Sequence, residues 1–123
     1  MITLLGVAAA SAVGAPARYL IDRRIARRNS GTFPWGTFVI NVSGSFVLGL
    51  LVGLGAHHGL SKTAVTILGG GFCGAYTTFS TFSVETIRLV EEGSLMEASV
   101  NMLGSIAVGL AAAAAGLGLA LAL

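Results

Sequence analysis

Four apolar stretches, Ile2 to Ile21, Trp35 to Ala56, Thr63 to Phe82 and Ala98 to Leu123, take up most of this 123-residue chain. Each is close to the roughly 20 residues a helix needs to cross a hydrocarbon core of about 30 Å. The polar connections between them are short: Asp22 to Pro34, His57 to Lys62 and Ser83 to Glu97. With 54% hydrophobic and only 10% charged residues, the chain lacks the polar surface needed to coat a soluble core. Lipid requires every backbone polar group to be satisfied internally, so spans of this length are helices. The expectation is a single all-α membrane domain over residues 1–123, multi-pass, with four transmembrane helices and no soluble appendage.

The first stretch carries small residues at Ala8 to Ala12, as a signal-peptide cleavage site does. No Lys or Arg precedes it, however, and Gly14-Ala15-Pro16-Ala17-Arg18 prolongs it, so it is read as a retained helix. Cys73 is the only cysteine, which excludes an intrachain disulfide and a cysteine metal cluster. The net charge of +2 comes almost wholly from Arg23, Arg24, Arg27 and Arg28, a headgroup anchor rather than a nucleic-acid surface. Four spans put both termini on one side with Lys62, and the Arg cluster and Arg88 on the other. The positive-inside rule then places both termini outside.

Helical spacing sorts the polar residues onto faces. Gly6, Ala10, Gly14 and Arg18 lie four apart in the first helix. Thr37, Asn41, Ser45, Gly49 and Gly53 form one stripe in the second, and Asn101, Ser105, Gly109 and Ala113 one in the fourth. Small seams of this kind bring membrane helices together, which accounts for Gly6, Ser45, Gly49, Gly53 and Gly104. Asn41 and Asn101 demand more, because an amide at membrane depth needs a partner or a pore. Arg18 either snorkels to the interface or faces inward and gives a vestibule that favours anions. The interiors of the spans contain no Asp, Glu, Lys or His, which argues against a proton-coupled pump or a cation transporter.

The third stretch holds Gly69-Gly70-Gly71-Phe72-Cys73-Gly74-Ala75-Tyr76-Thr77-Thr78-Phe79-Ser80-Thr81-Phe82. Clustered glycines predict a break within Gly69 to Gly74, near the bilayer midplane, that would free carbonyls able to coordinate a cation. Phe79 and Phe82 share a face beside hydroxyls. Their positive ring edges could line an anion path, although periodicity alone fits packing on lipid equally well. Gly69 to Gly74 also satisfies G-x-G-x-x-G with Glu91 beyond it, but the strand and βαβ context are missing. No Gly-Lys-Ser/Thr sequence follows to make a P-loop, and His57-His58 has no nearby carboxylate or Cys to complete a metal site.

Three segments together resemble the fluoride channels of the Fluc/CrcB family: Gly14 to Tyr19, Trp35 to Phe46 and Gly71 to Phe82. The resemblance implies a passive, fluoride-selective channel in the cell membrane, not an enzyme, built as an antiparallel dual-topology dimer with two pores at the subunit interface. It implies that Phe79 and Phe82 are the paired pore phenylalanines and Asn41 the pore-lining amide, with Ser80 and Thr81 on a polar track. It further implies main-chain carbonyls of Gly74 and Thr77 around a structural Na⁺ on the dimer axis, and Arg18 at the vestibule. Asn101 falls where some members carry Tyr, with Ser105 one turn on, and both are expected on the pore. Ala75 stands where a second glycine often follows the cysteine. The one-sided Arg bias is unusual for a homodimer of opposed subunits, so a heterodimer with a paralogous subunit is the alternative assembly. A small four-helix multidrug-type exporter would need a carboxylate in the first span, where this chain has Arg18. A non-conducting membrane assembly subunit would share the small-residue seams.

Overall fold

Residues 1–123 are described by a computed structural model, which is helical throughout with no strand. Helix α1 is Ile2–Ala26 and α2 is Trp35–His57. Helix α3 covers 62–76, as an α turn Lys62–Val65, a π-helical stretch Thr66–Cys73 and a last turn Gly74–Tyr76. Helix α4 is Phe79–Glu91. Helix α5, Leu95–Ala122, contains a second π-helical turn at Val100–Gly104. Helices α1, α2 and α5 are long and apolar enough to span a membrane, with mean hydropathies of 1.5, 2.0 and 2.0. The expected third span falls on α3 and α4, which are parted at Thr77 and Thr78, and helix α4 continues past Phe82 to Glu91.

The interruption does not lie where the glycines predict it. Gly69 to Cys73 stay helical in π geometry, and positive φ occurs only at Gly59 and Gly93, both in connections. The chain is extended instead at Thr77 (φ −78°, ψ 162°) and Thr78 (φ −149°, ψ 123°). The reason is that these glycines are used for contact rather than for backbone freedom. A Cβ on Gly71 would stand 2.8 Å from the Val7 carbonyl oxygen and 2.9 Å from the Ala10 methyl. One on Gly14 would reach the Phe72 carbonyl oxygen at 2.5 Å. Helices α1 and α3 therefore meet backbone to backbone, and the Ser11 hydroxyl donates across the seam to the Gly71 carbonyl at 3.1 Å.

Helices α2 and α5 meet in the same way. A Cβ on Gly49 would overlap the Ala113 carbonyl, and one on Gly116 would overlap the Phe46 carbonyl and stand 2.8 Å from the Leu50 amide. Gly53 lies against Ala120. Close approach through small residues replaces the hydrophobic drive that is missing between helices in lipid. At the other end, Arg23, Arg24, Arg27 and Arg28 are exposed, and the Tyr19 hydroxyl accepts a bond from Arg23 at 2.8 Å. Phe33, Trp35 and Phe38 cluster with ring centroids 4.7 to 5.9 Å apart, an aromatic group of the kind that sits at headgroup level.

Candidate functional site

Helix α2 holds the interruption between α3 and α4 open through one side chain. The Asn41 amide Nδ2 donates to the Thr78 carbonyl at 2.9 Å, and its Oδ1 accepts from the Thr78 N–H at 2.8 Å. The two bonds satisfy the N–H and the C=O of Thr78, a residue that lies outside both helices. Thr78 then caps α4: its hydroxyl accepts from the Thr81 N–H at 3.2 Å and lies 3.1 Å from the Thr81 hydroxyl. β-branched threonine suits the extended conformation required here.

These bonds have a further result. In a continuous helix the N–H of residue 78 would bond the carbonyl of residue 74, and that of residue 81 the carbonyl of residue 77. Here both amides are diverted, to Asn41 and to the Thr78 hydroxyl. The carbonyls of Gly74 and Thr77 thereby lose their helical donors, leaving neutral oxygens of the type a hard monovalent or divalent cation prefers. No group of three or more His, Cys, Asp and Glu side chains is gathered as a metal site.

The clamp fixes what α4 presents. Phe79, its first residue, is 79% exposed, and its ring centroid lies 5.8 Å from that of Phe82, the planes tilted by 42°. A cavity of about 280 Å³ opens on this face between Asn41, Ser45, Gly74, Thr77, Thr78 and Phe79, with no charged residue in its wall. A second, of about 200 Å³, is lined by Arg18, Asp22, Thr37, Thr78 and Thr81. A third, of about 320 Å³, joins Ser80 and Thr81 to Val84, Glu85 and Arg88. Thr78 is common to the first and second cavities, and Thr81 to the second and third. Arg18 thus faces a hydroxyl-lined cavity rather than only the interface. The Asp22 carboxylate lines the same cavity.

Asn101 and Ser105 lie elsewhere. Asn101 is fully buried, and it lines none of the three cavities. Its Nδ2 donates to the Thr86 hydroxyl at 2.8 Å, while Ser105 donates to its Oδ1 at 3.3 Å. Two residues of α4 escaped the sequence reading. Glu85 lies one turn beyond Thr81 on the same cavity wall, with its Oε2 buried and unbonded. Thr86 is the partner of Asn101. The signal was present in the i, i+4 spacing from Thr81 and Phe82, but the expected end of the third span at Phe82 concealed it.

Residues 5–117 match the family described as CrcB-like protein, Camphor Resistance (CrcB). The chain is similar to the fluoride-specific ion channel FluC 1 of Streptomyces avermitilis, with 50% identity over 95% of this chain and 94% of that one. It is 44% identical to the fluoride-specific ion channel FluC 1 of Frankia casuarinae, over 93% and 92% of the two chains. It is 43% identical to the fluoride-specific ion channel FluC of Nitrobacter winogradskyi, over 93% and 91%.

Proposed function

The chain belongs to the CrcB family, and we propose on that basis that it is a fluoride-specific ion channel of the plasma membrane, whose pore is built around the Asn41 clamp. It is a multi-pass membrane protein that lets F⁻ leave the cell down its electrochemical gradient. HF enters from an acidic exterior and dissociates at the higher internal pH. A negative-inside potential then drives the anion out, at about 2.3 kcal/mol per charge for each 100 mV.

Fluoride is small and holds its water tightly, so a path for it must supply hydrogen-bond donors in place of the hydration shell while its width excludes larger anions. In this proposal the Asn41 amide, the Ser80 and Thr81 hydroxyls and the positive edges of Phe79 and Phe82 supply those contacts. Arg18 draws the anion to the vestibule. No bond is made or broken in transport. The observation that carries the proposal is the clamp itself: two bonds to Thr78 start α4 so that Phe79, Ser80 and Thr81 are all exposed, with Phe79 beside an uncharged cavity.

A pore wall that is exposed in one subunit calls for a second subunit, and the proposed assembly is an antiparallel dimer of four-span subunits, α3 and α4 together making the third crossing. Carbonyls of Gly74 and Thr77 from both subunits would hold Na⁺ there, and the loss of their helical donors supports that assignment. Na⁺ would supply charge that binds four carbonyl dipoles together. The Arg bias keeps a heterodimer with a paralogue as the second assembly, and relatives numbered FluC 1 and FluC 2 are consistent with paralogous pairs.

The test is flux from liposomes loaded with KF, with valinomycin to release K⁺ and a fluoride electrode outside. Fluoride release with no chloride release from matched KCl vesicles supports a selective channel made of this chain alone. Absence of release from folded protein refutes the homodimer, and absence after co-expression with a paralogue refutes the channel.

A further inference from the structure

We infer that Asn101 is a positioning residue for the pore phenylalanines and acts through Thr86. The inference rests on the channel proposal for its functional meaning, but its structural content stands apart from it.

Helix α4 carries Phe79 and Phe82, and Asn41 holds only its N-terminal end. A helix fixed at one end can still rotate and tilt, and either motion would move Phe82 relative to Phe79. A second restraint is present one turn further on. The buried Asn101 Nδ2 donates to the Thr86 hydroxyl at 2.8 Å, and that hydroxyl donates to the Phe82 carbonyl at 2.8 Å. The backbone of Phe82 is thus two hydrogen bonds away from α5.

The geometry is directional. Ser105 donates to Asn101 Oδ1 at 3.3 Å, and with the amide in this orientation Nδ2 faces Thr86. A threonine hydroxyl has one proton, already given to Phe82, so toward Asn101 it can only accept. In this arrangement each group has one role. Asn101 projects from the π-helical turn Val100–Gly104, which interrupts the regular α5 ladder at this amide. Such turns occur where a helix must present a side chain out of α register. Asn101 is fully buried and absent from the walls of the three cavities, so it meets the ion only through α4.

Thr86 separates positioning from direct contact, because Thr86→Val keeps the shape and removes the hydroxyl. Wild type, Thr86→Val, Thr86→Ser, Asn101→Leu and the double variant would be compared in planar bilayers by unitary fluoride current. Thr86→Val and Asn101→Leu should each lower it about tenfold, the order expected from one lost buried hydrogen bond. The double variant should be no worse than either, and Thr86→Ser should conduct like wild type. A normal Thr86→Val with an impaired Asn101→Leu would overturn the inference, as would additive losses in the double variant. So would fewer channels with unchanged unitary current, the signature of a stability role alone.

A 4-fluorophenylalanine at position 82 gives a readout that does not depend on conduction. Its ¹⁹F resonance should move alike in Thr86→Val and Asn101→Leu and stay in place in Thr86→Ser, and unmoved resonances would refute the inference. Silent wild-type bilayers with the expected ¹⁹F pattern would sink the channel proposal and leave the positioning intact. If Thr86→Val does not fold, Thr86→Cys takes its place with the same expectations.

Discussion

Replacing Asn41 with alanine removes a donor and an acceptor from the interruption at once. Thr78 is only 9% exposed, and water does not readily replace what is lost. An orphaned buried polar group costs about 1–3 kcal/mol, whereas measured hydrogen bonds between membrane helices average about 0.6 kcal/mol. Two bonds to one residue set the loss near 2 kcal/mol, or about 30-fold in the opening equilibrium of the Thr78 amide. Hydrogen exchange at that amide, measured in detergent micelles, should therefore accelerate by about this factor in Asn41→Ala. Asn41→Asp separates the two halves of the clamp. Its carboxylate still accepts from the Thr78 N–H, so exchange should stay slow, while the Thr78 carbonyl loses its donor. Fluoride flux should fall in both variants, because both disturb the first turn of α4. Unchanged Thr78 exchange in Asn41→Ala would refute the assignment of Asn41 as the residue that holds the interruption open.

Phe79→Ile should lower fluoride flux in the liposome assay with little change in thermal stability, since the ring is largely exposed and its aromatic neighbour in the chain is Phe82. An unaltered flux would remove Phe79 from the pore. Gly116→Ala should destabilise by about 1–3 kcal/mol, because its methyl would overlap the Phe46 carbonyl. Gly118→Ala meets nothing within 4 Å and should be neutral or stabilise by up to about 1 kcal/mol, both read by denaturant unfolding in detergent. Exchanging Na⁺ for N-methylglucamine should weaken subunit association and slow fluoride efflux at constant ionic strength. An unchanged dimer fraction by cross-linking would remove Gly74 and Thr77 from a cation site.

Apolar length and helical spacing are local properties of the chain, and so the sequence alone determined the helical membrane class, the starts of α1 and α2, the end of α2 to within one residue and the small seams, whereas α1 runs five residues past its expected end at Ile21 to Ala26. Gly49, Gly53 and Gly14 lie in the contacts that their spacing implied, because a missing side chain has one consequence between helices in lipid. The residues around Phe79 could be marked as chemically unusual for the same reason: hydroxyls and glycines at membrane depth are costly wherever they lie. Their use was not local. The break at Thr77 and Thr78 rather than at the glycines depends on Asn41, 37 residues before Thr78 in sequence, whose amide takes both the N–H and the C=O of that residue. Arg18 had two equally good orientations until α2 and α4 formed a cavity beside it. Asn101 and Asn41 look alike in the sequence, each on a polar helical stripe. Only the packed structure separates them, giving one to the exposed face at the interruption and burying the other against Thr86, because an amide takes its role from the partner that satisfies it.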